Sequence, residues 1–121
     1  MEKNPKSVLI VEDEEIISLG LKIELEELGI NVCGRISKGD DLLNSVKNLN
    51  PDLVLLDIRL KGTMTGIDAC NELHANGLYP KVIYMTAYSD KDMINAAEQT
   101  GPAGFMEKPI DPRRLSKLLS L

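Results

Sequence analysis

Five short runs of apolar, largely β-branched residues alternate along this chain with five stretches of helical period, and few architectures satisfy that alternation. Strands separated by a helix pair in parallel, and the crossover helices then cover both faces of the sheet. The expected strands are Ser7 to Val11, about Ile30 to Gly34, Asp52 to Asp57, Lys81 to Thr86 and about Ala103 to Glu107. The third carries LVLL with no polar interruption, as a strand buried on both faces at the middle of a parallel sheet would. The chain reads as a single α/β domain of the (βα)5 kind, residues 1–121.

The helices carry their own punctuation. The first runs from about Glu14 to Leu28, with Ile16, Leu19 and Ile23 on one side, Leu21, Leu25 and Leu28 close by, and Gly29 as its stop. The second, about Gly39 to Leu49, turns Leu42, Leu43, Val46 and Leu49 inward and ends at Asn50-Pro51. The third, about Gly66 to Asn76, faces Ile67, Cys70 and Leu73 inward before Gly77. The fourth, about Asp90 to Thr100, opens on Ser89 and Asp92, spaced as a capping box. Asp111-Pro112 supplies an N-cap and a first-turn proline for a last helix carrying Leu115, Leu118 and Leu119.

Composition narrows the function. With 43% apolar and 27% charged residues in 121, the chain can bury one core and no more. No apolar run is long enough to cross a bilayer and MEKNPKS has no signal-peptide core, so a cytoplasmic protein with no membrane partner is expected. Nineteen acids against fourteen bases give a net charge of −5, which disfavours direct nucleic-acid binding. Cys33 and Cys70 lack metal or redox spacing and read as buried thiols, while Lys108, Arg113, Arg114 and Lys117 read mostly as a solvated helix face. The lone histidine, His74, sits late in helix three and reads as a solvent-side residue.

In an open α/β sheet the functional crevice lies beyond the carboxyl ends of the strands. Here the first strand is followed by Glu12-Asp13-Glu14-Glu15, the third ends on Asp57, the fourth ends on Thr86, and the fifth is followed by Lys108-Pro109. Singly, each has an ordinary explanation; acids, for instance, favour the start of a helix. Together they bring three carboxylates, a hydroxyl and an ammonium to one rim. Unit charges about 4 Å apart repel by roughly 4 kcal/mol at an effective dielectric near 20, so such a trio pushes a carboxylate pKa up unless a cation joins it. One lysine cannot neutralise three acids. Hard oxygen donors suit Mg²⁺ or Mn²⁺, and a metal with a lysine can bring a phosphoryl group to an aspartate nucleophile.

The acid pair in VED, the strand end LLD, MTA after strand four and EKP after strand five resemble, over essentially the whole chain, the receiver domain of two-component response regulators. The resemblance implies a flavodoxin-like sheet in the order 2-1-3-4-5. By position it implies that Asp57 is the phosphoryl acceptor, and that Asp13, Glu12, Asp57 and the carbonyl of Arg59 hold the metal. Thr86 and Phe105 would be the switch pair, Lys108 the lysine that pairs with the phosphoryl group, and Lys108-Pro109 a cis peptide. Arg59 and Tyr88 occupy positions that tune dephosphorylation, and their bulk implies slow loss of phosphate.

The implied donor is a histidine kinase or a histidine phosphotransfer protein. The implied output is a changed surface of helix four, strand five and helix five, read by an effector protein or a region outside this sequence, with a phosphorylation-dependent dimer allowed. The domain would be a phosphoacceptor that catalyses only its own phosphorylation and dephosphorylation, not a conventional enzyme. A receiver-like interaction module that never accepts phosphate is the alternative, and the complete set of acids, threonine and lysine argues against it. Three features depart from the family pattern: the loop IRLKGTMTG is longer and lacks a proline, the aromatic switch residue is Phe, and the last helix is short.

Overall fold

The chain alternates strand and helix throughout: β1 (Ser7–Val11), α1 (Glu15–Glu27), β2 (Asn31–Ile36), α2 (Leu42–Leu49), β3 (Leu53–Asp57), α3 (Gly66–Ala75), β4 (Lys81–Thr86), α4 (Lys91–Glu98), β5 (Gly104–Glu107) and α5 (Pro112–Leu119). This is seen in a computed structural model describing residues 7–119, the side chains of Tyr88, Leu118 and Leu119 excepted. The inward roles expected of Leu118 and Leu119 therefore lie outside the described residues. Single 3-10 turns, Gly39–Asp41 and Tyr88–Asp90, lead into α2 and α4. The strands pair in parallel in the order β2-β1-β3-β4-β5, the flavodoxin-like order implied by the resemblance.

Strand side chains alternate between faces, and two cores result. Leu9, Val11, Val54, Leu56, Val82 and Tyr84 pack with residues of α2, α3 and α4. Val8, Ile10, Leu53, Leu55, Ile83 and Met85 pack with Leu21 and Leu25 of α1 and Leu115 of α5. All five residues of β3 are buried, as its unbroken apolar run predicts. At about 1.5–3 kcal/mol for each large side chain taken from water, this strand is among the hardest parts of the chain to displace. Asp57 is its last residue.

Four local expectations need correction. Only Leu21 and Leu25 of the apolar residues in α1 are buried, with Ser18 buried one turn before Leu21, while Ile16 (88% exposed), Leu19, Ile23 and the following Leu28 face solvent. β2 begins one residue later and runs two residues further than expected. A register shift between Val8 and Leu9 pairs Leu9 with Gly34 and skips Cys33, which is only half-buried. Leu49 is exposed although the helical period turns it inward. The α4 entrance uses neither Ser89 nor Asp92 as a cap. Asp90 instead accepts the Ala87 N–H at 2.7 Å, because the 3-10 turn brings its carboxylate back over the strand end. The other end of the chain follows expectation, with Asp111 accepting the Arg113 N–H at 3.0 Å to cap α5.

Among the described residues no helix is long and apolar enough to cross a membrane.

Candidate functional site

Backbone bonds that extend the sheet beyond its strands set the rim. Glu12 N–H donates to the Ile36 carbonyl, Ile58 N–H to Met85, and Lys108 N–H to Thr86, at 3.0, 3.1 and 2.7 Å. The residues next to each strand end are thereby fixed with the precision of the ladder rather than the looseness of a loop. The peptide bond between Lys108 and Pro109 is cis.

Glu12, Asp13 and Asp57 converge so that one carboxylate oxygen from each lies within 4.8 Å of the others. Glu12 and Asp57 are 2% and 3% exposed, and Asp13 is half-buried. Lys108 reaches between two of them, its Nζ 2.9 Å from Asp57 Oδ2 and 3.0 Å from Glu12 Oε2. The contact with Asp57 is a hydrogen bond, whereas Glu12 Oε2 is an ion-pair neighbour left without any hydrogen bond. Asp57 Oδ1 accepts the Arg59 N–H at 3.0 Å, and Asp13 Oδ2 accepts the Lys61 N–H at 3.1 Å. The long loop after β3 thus closes over the acids with its backbone donors pointing in.

The electrostatics follow from burial. Loss of water, reinforced by the Asp57 charge and opposed by Lys108, raises the Glu12 pKa to about 7. Burial alone would lower the Lys108 pKa, but its hydrogen bond to Asp57 and the carboxylate charges of Asp57 and Glu12 outweigh that and hold the ammonium above its ordinary value. A buried carboxylate with an unsatisfied oxygen, beside two more acids and one lysine, is a site short of positive charge. Three hard oxygen donors of this kind fit Mg²⁺ or Mn²⁺.

Thr86 is buried, and its hydroxyl donates across to the Met106 carbonyl on β5 at 3.4 Å, a long bond. Phe105 is half-buried and stacks on Tyr84, ring centroids 5.6 Å apart. The structure thus gathers Glu12, Asp13, Asp57 and Lys108 into one cluster, and Arg59 joins through its backbone N–H. Thr86 and Phe105 lie on the neighbouring β4–β5 edge, while the Tyr88 side chain lies outside the described residues. His74 is half-buried and stacks on Tyr79 at 4.8 Å.

Sequence reasoning missed two residues. Asp90, 2% exposed, accepts the Arg59 Nε–H at 2.8 Å and the Ala87 N–H at 2.7 Å. Burial would raise its pKa, but the Ala87 N–H and the Arg59 guanidinium hold it below the usual carboxylate range. Tyr84, fully buried, pairs its hydroxyl with Thr100 Oγ1 at 2.8 Å. The one available signal for Asp90 was an acid one turn after a strand end.

Comparison with known proteins adds an independent line. A family model described as the response regulator receiver domain matches residues 8–120. The transcriptional regulatory protein PdtaR of Mycobacterium tuberculosis is 31% identical over 106 residues, 88% of this chain and 51% of that protein. Chemotaxis protein CheY of Thermotoga maritima is 32% identical over 115 residues, 95% of each chain. This chain therefore spans about half the length of the first relative and nearly all of the second. The signal receiver domain of a modulated diguanylate cyclase from Desulfovibrio desulfuricans G20 is a structural neighbour with a TM-score of 0.85 at 31% identity, covering 96% of this chain and 91% of that one. The signal receiver domain of NarL from Mycobacterium tuberculosis gives 0.86 at 26%, covering 98% and 95%.

Proposed function

The chain belongs to the response regulator receiver domain family, and from that premise we propose that Asp57 accepts a phosphoryl group from a phosphohistidine on a histidine kinase or histidine phosphotransfer protein. The observation that carries the reading is Lys108 Nζ, held 2.9 Å from Asp57 Oδ2 and 3.0 Å from Glu12 Oε2 in a cluster that remains short of positive charge. In the transfer an Asp57 carboxylate oxygen bonds to phosphorus as the P–N bond breaks, and the imidazole leaves. Lys108 is placed to balance the charge of the phosphoryl oxygens, and the buried end of β3 holds the nucleophile still. Glu12, Asp13, Asp57 and the Arg59 carbonyl would hold Mg²⁺ or Mn²⁺, which when bound supplies further positive charge against those oxygens.

The switch is a population shift biased by new contacts to the phosphoryl group. The Thr86 hydroxyl leaves its long bond to Met106 for the phosphoryl group, and Phe105, already half-buried against Tyr84, fills the space behind it. The surface of α4, β5 and α5 changes, and an effector protein, a region outside this sequence or a second copy reads it. The exposed apolar residues of α1, Ile16 and Ile17, line a groove with Leu21 and Ile110 that Glu12 and Lys108 bound on the site's side. Such a groove gives a protein donor a surface to dock on. Arg59 and Tyr88, bulky neighbours of the acceptor and of Thr86, slow hydrolysis. The whole of residues 1–121 acts as one receiver, in the cytoplasm with its kinase.

The test is incubation with Mg²⁺ and acetyl phosphate followed by mass mapping. The phosphoryl mass is expected on the peptide holding Asp57 and absent in Asp57→Asn. A chain that takes no label from any small donor or kinase refutes the reading and leaves a binding module.

A further inference from the structure

Asp57 presents its two oxygens to different neighbours. Oδ2 faces Lys108, and Oδ1 accepts the Arg59 N–H. The Arg59 side chain does not turn into the site. It crosses from the loop after β3 to the turn before α4, where its Nε–H donates to Asp90 Oδ1 at 2.8 Å. Asp90 uses its other oxygen, Oδ2, on the Ala87 N–H at 2.7 Å, next to Thr86. A continuous chain of contacts therefore runs from the acceptor carboxylate through Arg59 and Asp90 to the Thr86–Ala87 strand end, across residues 31 apart in sequence.

The two partners differ in a way that gives each a part. Arg59 is 59% exposed in its side chain and would be free to sample solvent, whereas Asp90 is 3% exposed and immobile. A long exposed side chain stays in one place only where a fixed group anchors it, since holding it costs rotamer entropy. Asp90 is that fixed group. Lys108 closes the Oδ2 side of Asp57 with Glu12 behind it, and on the other side Oδ1 meets the backbone N–H of Arg59, the residue whose side chain Asp90 anchors.

We infer that Asp90 is a positioning residue of the phosphoryl site, holding Arg59 as a strap between the two loops so that it limits the approach of water to phosphorylated Asp57. The inference rests on the phosphoacceptor reading above and adds to it the residue through which Arg59 acts. Hydrolysis needs a water in line with the Asp57–phosphorus bond, breaking that P–O bond and releasing inorganic phosphate with the carboxylate restored. An arginine tethered at its tip restricts that approach more than one that swings freely. A docked protein donor displaces the strap with its own binding energy.

The experiment measures the lifetime of phosphorylated Asp57 after removal of acetyl phosphate in the wild type, Asp90→Asn, Arg59→Ala and the double variant. Asparagine can still accept the Ala87 N–H, so the turn before α4 is retained while the ion pair is lost. Asp90→Asn is expected to shorten the lifetime about fivefold, equivalent to about 1 kcal/mol of barrier, and Arg59→Ala to do at least as much. In the Arg59→Ala background Asp90→Asn should then change nothing further, because a residue that acts through Arg59 has nothing left to hold. Were Asp90→Asn to act instead by weakening the cap on Ala87, its effect would persist in that background. A lifetime unchanged or lengthened in Asp90→Asn, or effects that multiply in the double variant, overturns the inference. Absence of label on Asp57 in the wild type would instead refute the phosphoacceptor reading itself.

Discussion

Replacing Asp57 with asparagine should make the metal-free protein more stable above about pH 7 even though it removes the proposed acceptor. The carboxylate oxygens of Glu12, Asp13 and Asp57 lie within 4.8 Å of one another. At an effective dielectric near 20, the repulsion of Asp57 by the other two acids is then at least about 7 kcal/mol. Its attraction to Lys108 at 2.9 Å is about 6 kcal/mol on the same scale. With Glu12 ionised, above its pKa of about 7, repulsion wins by about 1 kcal/mol, before the cost of burying the carboxylate is added. Asparagine keeps the shape, can still accept the Arg59 N–H, and leaves Lys108 to Glu12 alone. A gain of 1–2 kcal/mol raises the melting temperature by about 3–10 °C in a domain of this size.

The assay is scanning calorimetry of both proteins, in a chelator and in Mg²⁺, from pH 5 to 8. Glu12 has its pKa raised from 4.5 to about 7, so the native wild type binds more protons than the unfolded chain between those values. Its stability therefore falls as pH rises through that window. The variant lacks the Asp57 charge that helps raise Glu12, so it loses less, and its advantage grows up to about pH 7. Mg²⁺ at ten times its Kd stabilises the wild type by about 1.4 kcal/mol, and a site with one acid fewer gains less. The gap should therefore close on adding metal. A variant less stable than the wild type in chelator at pH 8, or equal stabilisation of both by Mg²⁺, would refute the account of the acid cluster.

Two further outcomes test the frame around the site. A Cβ at Gly66 would collide with the Asp57 carbonyl oxygen, a backbone atom that cannot swing aside, so Gly66→Ala should cost about 3 kcal/mol or more in urea unfolding. Gly20→Ala, mid-helix with nothing within 4 Å, should instead gain about 1 kcal/mol, and an unchanged midpoint for Gly66→Ala would refute the close approach. Burial pushes the Tyr84 phenol well above its ordinary value of 10, so its ionisation opposes folding as pH rises past that value. In an alkaline titration of the three tyrosines, the share of Tyr84 should appear only as circular dichroism is lost, and Tyr84→Phe should lack that step. Full ionisation with the fold intact would count against it.

The parts of the fold legible in the sequence are those where one physical constraint acts alone. β1 and β4 have the bounds expected of them, because a strand in the interior of the sheet must be apolar along its length and stops where it is not. β2 lies at the sheet edge, where polar Arg35 is tolerated and the skipped Cys33 breaks the pairing, so its extension past Arg35 to Ile36 left no unbroken apolar run. In α1 the period shows apolar residues on more than one side and cannot say which side meets the sheet. Ser18 occupies a buried place while Ile16 lies 88% exposed.

The same distinction explains the site. Glu12, Asp57, Thr86 and Lys108 were legible because a parallel sheet delivers every strand end to one rim, so topology alone converts sequence position into proximity. Asp13 and the loop Ile58 to Thr65 were half-legible. The acid was expected at the site, but nothing in LKG announces that the Lys61 N–H would turn back to it at 3.1 Å. Asp90 was illegible for a deeper reason. Its partner Arg59 leaves from another loop, and its capping bond depends on a 3-10 turn that no residue pattern requires. Groups held by strand ends carry the chemistry common to such a fold, whereas groups held by contacts between loops are free to differ from one receiver to the next. On that argument the lifetime of the phosphorylated state should be set by pairs such as Arg59 and Asp90, and the ability to form it by Asp57, Lys108 and the acids beside them.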